Sequence, residues 1–146
     1  MPNNEIRVAA VQFGVGEDIG KNLELSLKMI DAASEFRPKL IVLPEFINHC
    51  SWYEDRDHCY SVAVDINGDF INSISEKASE FETYIVINCT VRREKNLVTG
   101  TNILFDQTGK VIAQSDKQVL MGNENNFLKP SETLGPIINS SIGKLG

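Results

Sequence analysis

The chain has 146 residues, 42% hydrophobic and 23% charged, which suits one globular domain with a buried core and argues against a disordered segment. Its 14 Lys and Arg residues and 20 Asp and Glu residues give a net charge of −6 in scattered positions, which argues against nucleic acid as a partner. The apolar run from Leu40 to Leu43 is too short to span a membrane, and residues 1–5 lack the basic and apolar regions of a secretion signal. We therefore expect a cytoplasmic protein with no membrane partner.

The first third of the chain predicts a strand, a helix and a second strand. Residues 6–13 predict the first strand, because four successive apolar residues are typical of a strand covered on both faces. Asp18 predicts the cap of a helix whose apolar residues recur at helical spacing until Pro38. Residues 40–43 predict a buried strand that Pro44 ends, since proline cannot donate to the ladder. This order predicts parallel pairing with a right-handed crossover.

The remainder of the chain predicts a change from parallel to antiparallel pairing. After a polar, aromatic-rich stretch that we expect to be a loop, residues 70–81 predict a second helix and residues 84–91 a third strand. Residues 101–105 and 110–115 predict a hairpin, with Gly109 available for the left-handed position of its turn. We therefore expect a mixed sheet, followed by a polar loop and short strands at the end of the chain.

Two charged residues are candidates for catalytic roles because of their positions in the predicted sheet. Glu45 follows the second strand, at the edge where open α/β sheets bind their ligands, so it is a candidate general base. Lys117 follows the hairpin and is a candidate cation. From spacing alone, a solvated side chain is the simpler interpretation of each. Asp116, directly before the lysine, either pairs with it or faces water.

The cysteines do not indicate a disulfide or a metal centre. Three cysteines, Cys50, Cys59 and Cys89, are an odd number that fits reduced thiols. His49 and His58 each precede a cysteine, and this repeat suggests metal ligands. Each pair consists of sequence neighbours, however, whereas the ligands of a zinc site are usually two to five residues apart. We predict no metal site.

Five segments occur in an order and spacing that one known family shares. They are residues 7–12, Leu43-Pro44-Glu45-Phe46, Thr101-Asn102, Asp106-Gln107-Thr108-Gly109, and Lys117 with Glu124 and Phe127. Together they resemble the nitrilase superfamily of carbon-nitrogen hydrolases. The resemblance implies an α/β fold of the nitrilase-like α-β-β-α sandwich type. This chain would be roughly its first half, with a mixed sheet and helices on one face.

The resemblance also implies a reaction and a set of site residues. Family members hydrolyse non-peptide carbon-nitrogen bonds in amides, nitriles or N-carbamoyl compounds, using a Glu, a Lys and a Cys through a covalent intermediate. Glu45 matches the base, Lys117 matches the cation that stabilises the tetrahedral intermediate, and Glu124 matches a supporting glutamate. An exposed loop glutamate remains the alternative for Glu124. The resemblance implies no cofactor, a small-molecule substrate and a homo-oligomer.

The sequence departs from the family pattern around the lysine and at the nucleophile. Ser115 and Asp116 occupy positions where an aromatic residue and an arginine are usual, and residues 118–121 also differ. In the family, the nucleophilic cysteine lies just beyond a stretch like residues 142–146. We therefore expect residues 1–146 to be a single partial domain, truncated before the nucleophile.

No cysteine in the chain replaces that nucleophile by motif. Cys89, at the end of the third strand, lies near the correct edge of the sheet, but a buried cysteine is more often a small hydrophobe. Cys50 and Cys59 follow Glu45 on the polar segment, where a structural role is again simpler.

Three functional interpretations follow. The first is part of a nitrilase-type hydrolase, inactive by itself. The alternative is a catalytically inactive short paralogue that serves as a binding or assembly module. A nucleotide-binding flavodoxin-like domain is a third class, but the acidic segment at residues 14–18 would repel a phosphate.

Overall fold

A mixed five-stranded sheet organises the computed structural model, which describes residues 5–146. Its strands are β1 (Val8–Ala10), β2 (Leu40–Val42), β3 (Tyr84–Arg92), β4 (Val98–Phe105) and β5 (Val111–Asp116), in that spatial order. The pairs β1–β2 and β2–β3 are parallel, whereas β3–β4 and β4–β5 are antiparallel. The α/β class and the mixed sheet are therefore confirmed. The lack of a secretion signal was inferred mainly from residues 1–4, which lie outside the described residues.

Within residues 5–146, three α-helices connect the strands, and one of them was not predicted. They are α1 (Ile19–Ser34), α2 (Arg56–Val62) and α3 (Asp69–Glu80). Asp18 caps α1 as predicted, because its Oδ1 accepts the Lys21 N–H at 3.0 Å. The sequence predicted a loop where α2 lies. This helix has seven residues and buries only Cys59, so it is too short to produce an apolar repeat.

The main core lies between the sheet and the pair α1 and α3, which pack on one face. The side chains at its centre are fully or almost fully buried isoleucines and one phenylalanine, namely Ile30, Ile41, Ile71, Ile74, Ile85, Ile87, Ile103 and Phe105. The helices provide three of these residues and the strands the others. Helices on one face were expected, and the structure shows this arrangement.

The opposite face of the sheet is partly exposed. We predicted that both faces of β1 would be covered, but this was wrong, because Val8 is 57% exposed. Val42 of β2 lies on the same open face and is 37% exposed. The C-terminal strands β6 (Ile138–Ser140) and β7 (Gly143–Leu145) form a separate antiparallel hairpin beside this face. Between hairpin and sheet is an apolar cleft of about 350 Å³.

No helix of residues 5–146 has the length and apolar character needed to cross a membrane.

The turn between β4 and β5 depends on Gly109. Its φ is +83°, and an added Cβ would lie 2.5 Å from the Ser75 carbonyl oxygen on α3. We expect Gly109→Ala to lower the free energy of unfolding by about 2 kcal/mol, because the left-handed conformation disfavours a Cβ and the contact forces the hairpin away from α3. Urea denaturation monitored by circular dichroism measures this loss.

Gly122 provides the matched control. Its φ is +48°, and an added Cβ would meet no atom within 4 Å. We expect Gly122→Ala to remove only about 1 kcal/mol, the contribution of the backbone conformation. Equal losses in the two variants would contradict the steric contribution at Gly109.

Candidate active site

Glu45 lies where the chain leaves the carboxyl end of β2. The parallel pairing continues through Leu43, whose N–H donates to the Val86 carbonyl oxygen at 3.0 Å. After Pro44 and Glu45 the chain turns at Phe46, which has a φ of +52°. The Glu45 side chain is 54% exposed and therefore accessible to a small molecule.

Lys117 extends β5 by one position toward the same edge of the sheet. Its N–H donates to the Gly100 carbonyl oxygen at 2.7 Å, and its own carbonyl oxygen accepts the Ser131 N–H at 3.0 Å. The side chain reaches Glu45, where Nζ donates to Oε1 at 2.7 Å. The structure therefore brings together two residues that are 72 positions apart in the chain.

Glu124 completes a cluster of three charged groups. It belongs to a 3₁₀ turn at Gly122–Asn126, and its side chain is only 8% exposed, so it is not an exposed loop glutamate. Its Oε1 accepts a hydrogen bond from Lys117 Nζ at 3.0 Å, and its Oε2 accepts the Met121 N–H at 2.8 Å. The second contact fixes the carboxylate toward the lysine.

The electrostatics of the cluster keep Lys117 protonated. Partial burial opposes its charge, but hydrogen bonds and charge attraction from Glu45 and Glu124 outweigh that effect and raise the pKa of Lys117 above its ordinary value. The side chain is an ammonium group at neutral pH. It can therefore stabilise a developing negative charge but cannot accept a proton.

A small cavity of about 210 Å³ opens beside the charged cluster. Val42 and Val86 contribute apolar wall, while Glu45 and Lys117 contribute the charged groups. Asn88 adds an amide, which donates from Nδ2 to Asn102 Oδ1 at 2.9 Å. The larger cleft beside the C-terminal hairpin has no ionisable side chain in its lining, so this smaller cavity is the candidate active site.

Neither of the two buried cysteines is suited to nucleophilic attack. Cys89 follows Asn88 on β3, so its side chain points to the opposite face, into the core, where it is fully buried. Burial raises the pKa of the Cys89 thiol well above its usual range. Burial, partly opposed by the charge of Arg56, raises the pKa of Cys59 to about 11. Both thiols are therefore protonated at neutral pH.

Cys50 and the two histidines do not form a metal centre in the described part of the chain. Cys50 is a free, half-buried thiol. His49 is buried, and its ring stacks on Tyr53 with centroids 5.7 Å apart. His58 meets the same rings edge-on. No group of three or more potential ligand side chains occurs among residues 5–146.

Asp116 does not contact Lys117, and it does not simply face water. Its Oδ1 accepts a hydrogen bond from Arg93 Nη2 at 2.8 Å and another from Thr101 Oγ1 at 2.6 Å. Successive side chains of a strand point to opposite faces, so Asp116 and Lys117 point apart. Both alternatives derived from the sequence were wrong, because the partner Arg93 follows β3, 23 positions away.

Sequence analysis also missed the contacts that surround Glu45. The Phe46 ring lies over Lys117 Nζ, 5.2 Å from the ring centroid, and the Asn88 side chain accepts the Phe46 N–H. One signal was present in the sequence, because Phe46 belongs to the segment that carries the family resemblance. Nothing in the local pattern pointed to Asn88.

Comparisons with known proteins identify the family. Residues 7–146 match the family model described as Carbon-nitrogen hydrolase. A curated hydrolase from Schizosaccharomyces pombe is 26% identical over an alignment of 152 positions. The alignment covers 96% of this chain and 46% of that protein. The chain therefore spans about half the length of this relative.

Solved structures share the fold. The Caenorhabditis elegans NitFhit protein has a TM-score of 0.83 at 20% identity, covering 95% of this chain and 36% of that chain. A double mutant of the amidase from Nesterenkonia sp. AN1, in complex with acrylamide, has a TM-score of 0.81 at 23% identity, covering 98% of this chain and 54% of that chain. At these identities the likeness concerns the fold alone.

Proposed function

The chain belongs to the carbon-nitrogen hydrolase family, and on that premise we propose that it provides the base and the cation of a nitrilase-type active site. The proposed reaction is hydrolysis of a non-peptide carbon-nitrogen bond in a small amide, nitrile or N-carbamoyl compound. One observation carries the proposal: Lys117 Nζ lies 2.7 Å from Glu45 and 3.0 Å from Glu124 beside a cavity. The solved complex of a related amidase with acrylamide favours an amide among these substrates.

Two of the three charged groups, Glu45 and Lys117, suit the steps of amide hydrolysis. Glu45 accepts the proton of a cysteine thiol, and the sulfur forms a bond to the carbonyl carbon. The ammonium of Lys117 stabilises the negative oxygen of the tetrahedral intermediate. Glu45 then returns the proton to the nitrogen, the carbon-nitrogen bond breaks, and an amine leaves behind a thioester.

Hydrolysis of the thioester completes the cycle. Glu45 takes a proton from a water molecule, whose oxygen attacks the thioester carbon. The carbon-sulfur bond breaks, the acid leaves, and the proton returns to the thiol. Among residues 5–146, the Glu124 carboxylate accepts hydrogen bonds from Lys117 Nζ and the Met121 N–H, so we assign it the role of holding the lysine in place.

The nucleophile in this proposal is a cysteine outside residues 1–146. Cys89 is unsuitable because it faces the core, and Cys59 is unsuitable because burial keeps its thiol protonated. This chain covers 46% of the Schizosaccharomyces pombe relative. A protein of that length that contains this region could therefore carry the cysteine outside residues 1–146. Residues 1–146 would then form the first part of one domain.

A direct test compares the 146-residue chain with the product of its whole reading frame. Each is incubated with small amides, nitriles and N-carbamoyl compounds while ammonia is measured. We expect ammonia from the longer product only, and an acyl adduct on a cysteine other than Cys50, Cys59 and Cys89. Ammonia release by the 146-residue chain would overturn the assignment of the nucleophile. No release by the longer product on any of these compounds would favour a binding or assembly module.

A further inference from the structure

Phe46, directly after the proposed base, has an unusual backbone conformation. Its φ of +52° lies in the left-handed region, which side chains other than glycine rarely adopt. A bulky residue remains in this region only where its surroundings hold it there, and such positions are concentrated at functional sites. The conformation also turns the chain immediately after Glu45.

Asn88 on β3 holds this turn. Its Oδ1 accepts the Phe46 N–H at 2.9 Å, and its carbonyl oxygen accepts the Ile47 N–H at 2.9 Å. Its Nδ2 donates to Asn102 Oδ1, which fixes the orientation of the amide. Asn88 is only 8% exposed, so these hydrogen bonds are largely shielded from competing water.

The ring of Phe46 continues the arrangement toward the lysine. It is 4% exposed, and the Lys117 ammonium lies 5.2 Å from its centroid, within the distance of a cation–π interaction. Gly100 leaves the space that the ring occupies, because a Cβ there would lie 2.9 Å from Phe46 Cε1 and 3.6 Å from Lys117 Cβ. The ring is therefore enclosed between β4 and the lysine.

We propose that Phe46 is a positioning residue of this site: its backbone turn, held by Asn88, directs the Glu45 carboxylate onto Lys117, while its ring face supports the ammonium. The inference rests on the proposed function, which gives Glu45 and Lys117 their roles. Lysine has a long flexible side chain, and a fixed ring face restricts its ammonium to the vicinity of the carboxylate. The charged groups that the ammonium meets are Glu45 and Glu124.

The first experiment replaces Phe46 by a ring-fluorinated phenylalanine. The analogue retains the shape of the ring but withdraws electrons from its face, so it weakens the attraction for a cation and leaves the packing unchanged. Lys117 should then lose its proton more easily. We expect about threefold more neutral amine at Lys117 at a fixed pH near 9, and therefore about threefold faster acylation of that amine. The rate is measured by mass spectrometry, with the exposed Lys21 as internal reference.

The second experiment tests the turn. Asn88→Ala removes the acceptor of the Phe46 N–H, so the Glu45 carboxylate should move away from Lys117. Acylation of Lys117 should then accelerate at least as much as with the fluorinated ring. Asn102→Ala is the matched control, since it removes the partner of Asn88 Nδ2 and leaves the acceptor in place. We expect a clearly smaller effect from it.

The outcomes separate this inference from the proposed function, because acylation of Lys117 requires no substrate. An unchanged rate with the fluorinated ring would overturn the role of the ring. Equal effects of Asn88→Ala and Asn102→Ala would overturn the role of the turn. A failed hydrolysis assay, by contrast, would count against the reaction and leave the positioning intact.

Discussion

Glu45→Gln is expected to lower amide turnover about 10²- to 10⁴-fold in the protein that contains this region together with its cysteine nucleophile. Glutamine has the size of glutamate, and its carbonyl oxygen can still accept the hydrogen bond from Lys117 Nζ, which the structure places at 2.7 Å. It cannot accept a proton from a thiol or from water. The measurement is ammonia release at saturating substrate, which gives kcat. We expect KM to change little, because the substitution removes a proton acceptor and not a binding surface.

The control for this prediction is a glutamate remote from the site. Glu24 is exposed on α1, and Glu24→Gln should leave kcat unchanged. Turnover by Glu45→Gln within a few fold of the unsubstituted protein would show that another group is the base.

Lys117→Met is expected to lower the free energy of unfolding by about 3 kcal/mol, the lower end of the range for breaking a buried ion pair. The Glu124 side chain is 8% exposed, so its charge would remain in the interior without a cation and near that of Glu45. The Glu45 side chain is 54% exposed, and solvent screens its share of the loss. Urea denaturation near neutral pH measures the effect.

A double variant distinguishes the unpaired charge from lost packing. In Lys117→Met combined with Glu124→Gln, the amide oxygen can still accept the Met121 N–H, and no buried charge remains. We expect most of the lost stability to return. A double variant no more stable than Lys117→Met would assign the loss to packing. Lys21→Met, at an exposed lysine, should have almost no effect.

The stability of the unsubstituted protein and that of Lys117→Met should depend differently on pH at high pH. The raised pKa of Lys117 means that its contribution to stability is fully present below its ordinary value of 10.5 and is lost as the pH rises through the raised value. Lys117→Met should not show this loss. Denaturation curves of both proteins at pH values on either side of that range measure the difference.

Local signals in the sequence determined the secondary structure well. Pro44 ends β2 because it lacks an N–H, Asp18 caps α1 because its carboxylate accepts a backbone N–H, and Gly109 permits the turn of the hairpin because it lacks a Cβ. Each effect operates within a few residues, so a single sequence reveals it. The short helix α2 was missed because one buried side chain makes no repeat.

The covering of the sheet could not be predicted in the same way. The run at Val8 is continuously apolar, a pattern that matches burial on both faces, yet Val8 is more than half exposed because α1 and α3 lie on the other face. Apolar composition shows that a surface can be buried, but only the placement of the other elements decides whether it is covered.

The sequence by itself determined the order of the elements, the edge of the sheet that carries Glu45, and the family resemblance that singled out Lys117 and Glu124. Tertiary structure alone decided what each side chain meets: Glu124 is buried against Lys117, Asp116 pairs with Arg93, and Asn88 holds Phe46 from 42 positions away. The physical reason is distance along the chain. Caps, turns and strand ends depend on neighbouring residues, whereas an ion pair or a side-chain hydrogen bond depends on backbone positions that the packed sheet brings within about 3 Å of each other.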